Sequence, residues 1–307
     1  MNTKLYIIGN GFDLWHGLPT AYKCYNCYMR RQNAHVHDRI GHIYNRANSN
    51  ELWSDYENML PWFDIVKLVE KNIETWCKCS RSDFENAFDS LDNDLRGYFH
   101  EWVSQIDYSI TNGKMMAIDA NASFLNFNYT NTLDRLYDIR GHQVCYIHGD
   151  TGNNDHFRPV IGHGMESVKS FVYSKSDAIN QCITKYGKIP NWAEDTNSFM
   201  QIIVDEIVKF IADLKKDTEY YIVENEDWFN NQCNIKDVYV LGHSLSEVDA
   251  PYFRRIYNQS PQATWHVSYY GEKEKKDRKE KLCKLIGEQP DKMHVDLFEL
   301  DDLRQNK

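Results

Sequence analysis

Leu5-Tyr6-Ile7-Ile8-Gly9-Asn10-Gly11-Phe12-Asp13, with Gly17-Leu18-Pro19-Thr20 close behind, is the stretch that decides the fold. A short apolar run stops at two glycines one residue apart. The pattern predicts a buried strand that enters a tight turn, where glycine lets a phosphate-bearing ligand approach bare main chain. Placed this early, the strand is expected at the centre of its sheet, with a site at its carboxyl end. The loop departs from the dinucleotide fingerprint G-x-G-x-x-G, because Leu14 stands at the third glycine position. A strand-to-helix turn without a ligand is the competing reading of the same glycines.

Working outward, further apolar runs predict strands at 122–127, 143–147, 238–241 and 264–270, and a last one at 293–300. Apolar residues three or four apart predict helices over 52–79, 84–110 and 199–214, with Asp83 capping the second. Shorter helices are expected at 21–31, 132–139, 252–259 and 272–286. Strands alternating with helices imply an α/β chain: a Rossmann-like, mostly parallel sheet with helices on both faces. The reading is of one domain over 1–307, with large helical insertions at about 21–112 and 151–234.

A chain of 307 residues with 14% aromatic content can bury a sizeable core. Its net charge of −10 gives no general attraction to nucleic acid or to an anionic membrane. The apolar run at the start is too short for a secretion leader, and no stretch reaches the length of a spanning helix, so a cytoplasmic protein is expected. The eight cysteines are accordingly expected as free thiols. Cys24-x-x-Cys27 lacks a matching second pair, since Cys77-x-Cys79 has the wrong spacing for a zinc knuckle. His35, His37 and His42 are read as surface residues, and no metal is expected.

Three other expected strands also end in unusual polar residues. These are Asn126-Phe127-Asn128-Tyr129-Thr130-Asn131-Thr132, His148-Gly149-Asp150, and Gly242-His243-Ser244 with Asp249 soon after. Ligands of open parallel sheets bind outside the carboxyl ends of the strands, so these turns are expected to converge. Each has a plainer reading. Asn128 and Thr130 suit helix caps, His148 suits a turn, and Ser246-x-x-Asp249 reads as a capping box before a helix.

Gly9-Asn10-Gly11-Phe12-Asp13 through Gly17-Leu18-Pro19-Thr20, Phe127-Asn128-Tyr129-Thr130-Asn131-Thr132-Leu133-Asp134, Ile147-His148-Gly149 and Gly242-His243-Ser244-Leu245-Ser246-Glu247-Val248-Asp249 together resemble the AbiH family of bacteriophage abortive-infection proteins. The likeness runs from the first strand to about residue 258. More distantly, the same order is similar to sirtuin-like domains. That resemblance implies NAD, as substrate or ligand, with Gly9, Gly11 and Gly242 to Ser244 at its phosphates and ribose. It implies Asn128 near the scissile bond and His148 as the base. The candidate binding set is Gly9, Asn10, Gly11, Phe12, Thr130, Gly149, Gly242, His243, Ser244 and Asp249. The candidate catalytic set is His148, Asn128 and Asp13, the last as a carboxylate that stabilises positive charge at the sugar.

Several positions depart from the sirtuin pattern: Asn10 replaces alanine, Asp13 replaces serine, Thr130 replaces aspartate, and four zinc cysteines are missing. Deacetylation therefore yields to NAD hydrolysis in a phage-defence protein. The alternative is a module that senses a nucleotide or a phage component without catalysis. Such a module would act through a partner protein, and self-association stays open. A third reading is a serine hydrolase, with Gly242-His243-Ser244-Leu245-Ser246 as its elbow and Asp291 and His294 completing the triad.

Overall fold

The computed structural model describes residues 2–43, 55–149 and 160–305. The chain divides into two compact units. One comprises residues 1–21, 103–160 and 217–307, and the other 22–102 and 161–216. The second unit draws its residues from within the two stretches read above as helical insertions.

The first unit holds a six-stranded sheet: β1 (Lys4–Ile8), β2 (Ser123–Asn126), β3 (Val144–Tyr146), β4 (Asp237–Leu241), β5 (Thr264–Tyr269) and β6 (Val295–Glu299). The order across the sheet is β3-β2-β1-β4-β5-β6, and every neighbouring pair is parallel. The Rossmann-like α/β expectation holds, and β1 is central. In register, Ile8 lies beside Asn126 on one side and Leu241 on the other, so the three turns that follow leave the sheet at one level.

Strand periodicity explains why these segments are apolar throughout. Leu5 and Ile7 pack with Leu125, Val238 and Val240 on one face. Tyr6 and Ile8 pack with Phe124 and Leu241 on the other. A sheet covered on both faces needs apolar residues at odd and even positions alike. Helices follow the strands, among them Asn10–Trp15 after β1, Thr132–Tyr137 after β2, Ala250–Gln259 beyond β4 and Arg278–Ile286 after β5.

The second unit is helical, with an aromatic interior in which Tyr25 lies 5.5 Å from Tyr56 and 5.2 Å from Phe99, ring centre to ring centre. The expected helix over 52–79 is instead two, Tyr56–Met59 and Ile65–Trp76; its first residues, Leu52 and Trp53, lie outside the described residues. Pro61 sits at the break, and Asp64 restarts the helix by accepting from the Lys67 N–H at 3.0 Å. The helix expected from Phe84 starts earlier, at Arg81, and stops at Ser104. Its cap is Ser80, whose hydroxyl accepts from the Asp83 N–H at 3.1 Å, so Asp83 is not the cap. The stretch 272–286 also divides, into Gly271–Lys275 and Arg278–Ile286.

Cys24, Cys27, Cys77, Cys79, Cys145, Cys182, Cys233 and Cys283 are all free thiols. His35 is exposed, but His37 is buried, with Nε2 2.7 Å from the Asn26 side-chain oxygen. The side chain of His42 lies outside the described residues. Among the described residues no helix is long and apolar enough to cross a membrane, and no cluster of three or more His, Cys, Asp or Glu side chains is placed to hold a metal.

Candidate functional site

The site lies within the first unit, where the strand order reverses between β1 and β4. Open α/β sheets bind ligands at such a reversal. Here the β1 and β4 turns are pressed together. The Gly9 N–H donates to Leu241 O at 3.0 Å, and the Gly11 N–H donates to Gly242 O at 2.8 Å. A Cβ on Gly9 would lie 2.5 Å from His243 Cα, and one on Gly11 would lie 2.7 Å from Gly242 Cα. Gly242 has φ +64°, and a Cβ there would meet Phe12 N at 2.3 Å. These glycines let one turn approach another. With the Phe12 N–H donating to Gly9 O at 2.9 Å, three backbone donors of the opening turn are committed inside the protein. Asn10 points the other way and donates its amide to Thr20 O at 3.0 Å, fastening the Gly-Leu-Pro-Thr segment.

Asp13 joins the β1 and β2 turns. It is 0% exposed. Thr130 donates to one carboxylate oxygen at 2.5 Å and Thr132 to the other at 2.7 Å. Burial pushes its pKa up to about 6, while hydrogen bonds from Thr130, Thr132 and Asn128 oppose that rise. The Asn128 amide also donates to Gly9 O at 3.1 Å. The capping alternative therefore fails: the Thr132–Tyr137 helix is preceded by Asn131 and takes no side-chain cap. Asn128 and Thr130 stitch β2 to β1. His16, not singled out by its sequence, is buried in the same region, with Nδ1 2.7 Å from Phe12 O and Nε2 2.6 Å from the Tyr137 hydroxyl.

His148 follows β3 and is 3% exposed. Its Nδ1 lies 3.2 Å from Phe127 O. A carbonyl only accepts, so Nδ1 carries hydrogen and Nε2 faces the other way. Gly149 turns the chain at φ +80°, and Asp150 lies outside the described residues. On the far side of His148, Asp249 brings Oδ1 to 4.0 Å from Nε2, and Oδ2 lies 3.5 Å from Nε2 of His243. The His243 Nδ1 accepts from the Leu245 N–H at 2.9 Å, so its hydrogen is on Nε2, facing Asp249. Phe127 separates the imidazoles, its ring centre 5.3 Å from that of His148 and 4.5 Å from that of His243. The capping-box reading of Ser246 and Asp249 is not what forms. Neither gives a side-chain cap, and Asp249 sits between two histidines.

A family model described as bacteriophage abortive infection AbiH matches residues 5–269. The chain belongs to the AbiH family. Its family role is in abortive infection by bacteriophage. Neither a curated protein nor a solved structure matches the chain.

In this AbiH protein the match spans β1 to β5 and contains every site residue named so far. One further residue, Arg278, stands beyond it. Arg278 is 2% exposed and spends its guanidinium on backbone: Nε donates to Ser268 O at 2.9 Å, Nη2 to His243 O, and Nη1 to Ser244 O at 3.5 Å. Glu274 pairs with it at 2.8 Å. Lys281 adds a bond to Ser244 O at 2.7 Å, and the Ser268 hydroxyl accepts from the Gly242 N–H at 2.8 Å. This clamp holds a costly loop. Leu245 is fully buried at φ +56°, a region bulky side chains avoid. Its sequence surroundings, a run of lysines and glutamates, hid Arg278; only its burial distinguishes it.

Ser244 is exposed at the carboxyl end of β4. His294 directly precedes β6, and its carbonyl accepts from the Trp265 N–H at 2.8 Å near the start of β5, at the opposite end of the sheet. A five-residue strand is roughly 16 Å long, so Ser244 and His294 cannot share a proton. The serine-hydrolase triad is not formed.

Proposed function

We propose that this AbiH protein binds NAD or a closely related nucleotide at the carboxyl ends of β1 to β4, and hydrolyses the bond between nicotinamide and ribose. The observation that carries the reading is His148 facing Asp249 at 4.0 Å, beside the point where the strand order reverses. Hydrolysis breaks the C–N bond at the sugar and forms a C–O bond from water. Nicotinamide leaves with the bonding electrons, and the water loses a proton. His148 is the group to take that proton, because imidazole works as a base near neutral pH and this one presents Nε2 to the site.

The other residues divide by position. Asp13, with both oxygens engaged by threonines, acts by fixing the β1 and β2 turns and not by touching the sugar. Asn128 and Thr130 share that task. His243 and the clamped Gly242–Leu245 loop set Asp249. Since the N–H groups of Gly9, Gly11 and Phe12 are committed, the phosphates draw on other donors of these turns. A second reading, nucleotide sensing without turnover, is favoured by the burial of the base, since His148 is only 3% exposed.

Purified protein incubated with NAD tests both by chromatography of the products. Nicotinamide release that disappears in His148→Ala supports hydrolysis. Binding without release refutes hydrolysis and leaves sensing.

A further inference from the structure

We infer that the helical unit carries a binding site of its own, for a small molecule with a flat apolar body and a single carboxylate. The inference does not rest on the nucleotide reading, because every lining residue belongs to the unit formed by residues 22–102 and 161–216.

A cavity of about 500 Å³ opens where the Tyr56–Met59 and Ile65–Trp76 helices are joined through Pro61. Met59, Trp62, Phe63, Asp64, Phe171 and Lys175 are among its lining residues. The volume falls in the range of small-molecule sites, about 300–1,000 Å³. Backbone bonds hold the corner. The Trp62 N–H donates to Met59 O at 3.0 Å, and Asp64 caps the helix that follows. Phe63 turns inward, 3% exposed, its ring centre 6.0 Å from that of Phe210. Trp62 turns outward and stays 51% exposed, its ring meeting that of Phe171 edge to face at 5.1 Å. An indole fixed on such a corner and left open beside a phenyl ring makes a wall for a flat apolar group.

Charge decides the rest of the ligand. Two charged side chains line the cavity, and they are not equivalent. The Asp64 carboxylate accepts from the Lys67 N–H at 3.0 Å at the positive end of the Ile65–Trp76 helix, so its charge is answered within the protein. Lys175 is half-buried, with its ammonium 5.9 Å from the Phe171 ring centre. It forms no ion pair or side-chain hydrogen bond among the described residues. Its backbone is fixed, since its N–H donates to Val172 O at 2.9 Å and its carbonyl accepts from the Ile179 N–H at 2.9 Å. A lysine thus stands at the N-cap of the Ser176–Tyr186 helix, where it gives no cap hydrogen bond and its charge opposes the helix dipole. Local structure supplies no reason for a cation there, and such breaks with local rules mark functional positions. A free ammonium in an aromatic cavity is complementary to an anion on an apolar body. Asp64 on the same cavity disfavours a second negative charge, so a monoanion fits and a phosphate dianion does not.

The test uses three probes that share one apolar body and differ in charge: naphthylacetate, naphthylethanol and naphthylethylamine, joined at the same ring carbon. The full chain is labelled with fluorotryptophan, and the Trp62 signal among the eight tryptophans is assigned by its loss in Trp62→Phe. Naphthylacetate is expected to shift that signal saturably and to bind about 10-fold more tightly than the alcohol, with the amine weaker still. In Lys175→Gln the acetate falls to the affinity of the alcohol while the alcohol binds as before, and in Lys175→Arg the preference for the acetate is kept. Equal affinity for the three probes, an acetate preference that survives in Lys175→Gln, or no saturable shift at Trp62 overturns the inference. NAD takes no part in this readout, so failure here leaves the nucleotide reading as it stands.

Discussion

Replacing Asp13 by asparagine keeps the shape of the junction between the β1 and β2 turns and removes its charge. Burial holds the Asp13 carboxyl at about 6, against an ordinary value of 3.8. The sign follows from which state holds the proton more tightly. Below 3.8 both folded and unfolded chains carry it, and nothing is lost. Between 3.8 and 6 the unfolded chain ionises first, so stability falls as pH rises, and above 6 the loss is complete. A gap of about two pH units at about 1.4 kcal/mol each makes the ionised carboxylate cost about 3 kcal/mol at neutral pH. Asparagine avoids that cost. Its carbonyl accepts from one threonine, and the other threonine turns its hydroxyl to accept from the amide. The amide lacks the hydroxyl of the protonated acid and fits the two threonines less well, which returns about 1 kcal/mol. Asp13→Asn is therefore expected to be about 2 kcal/mol more stable than wild type at pH 7, with the advantage gone by pH 4. Urea unfolding at half-unit steps from pH 4 to pH 8 measures both. A wild-type advantage that grows with pH would refute the reasoning, because it would mean that the threonine hydroxyls outweigh burial and hold the carboxyl below its ordinary value.

Gly242→Ala is expected to cost 3 kcal/mol or more, since a Cβ there meets backbone at 2.3 Å and the φ is +64°. Gly113→Ala is its control: φ is +69° but the space is open, so thermal melting should register a loss of only about 1 kcal/mol. Arg278→Ala is expected to lose about 3 kcal/mol and to raise hydrogen exchange at the Leu245 amide selectively. Arg278→Lys should recover little of either, because an ammonium cannot span three carbonyls as a planar guanidinium does. Uniform exchange across the sheet in Arg278→Ala would show that the clamp is not local.

The legible features were those set by neighbours along the chain. Leu5 to Ile8 and Val238 to Leu241 are apolar at every position, and such runs become strands buried on two faces whatever surrounds them. Strand ends carrying polar turns then had one place to converge. Less legible were side-chain roles that depend on distant partners. Thr130 suited a cap, yet it donates to Asp13, a residue 117 positions away. Asp249 suited a capping box, yet it lies between His148 and His243. Arg278 looked like any basic residue on a charged helix, and its three carbonyl partners come from β5 and from the β4 turn.

By itself, the sequence determined an α/β chain with β1 central, and four polar turns at strand ends carrying Asp13, Asn128, His148 and Ser244. Tertiary structure decided what each group does. Hydrophobic periodicity is a local property, and it survives any arrangement of the rest of the chain. Proton placement, burial and close backbone approach are pairwise properties, made only when strands far apart in sequence meet. The opening glycines illustrate both. Their position after a buried strand was readable from nine residues, whereas the reason glycine is required there, Gly242 and His243 pressed within 3 Å of any Cβ, exists only once β1 and β4 lie side by side.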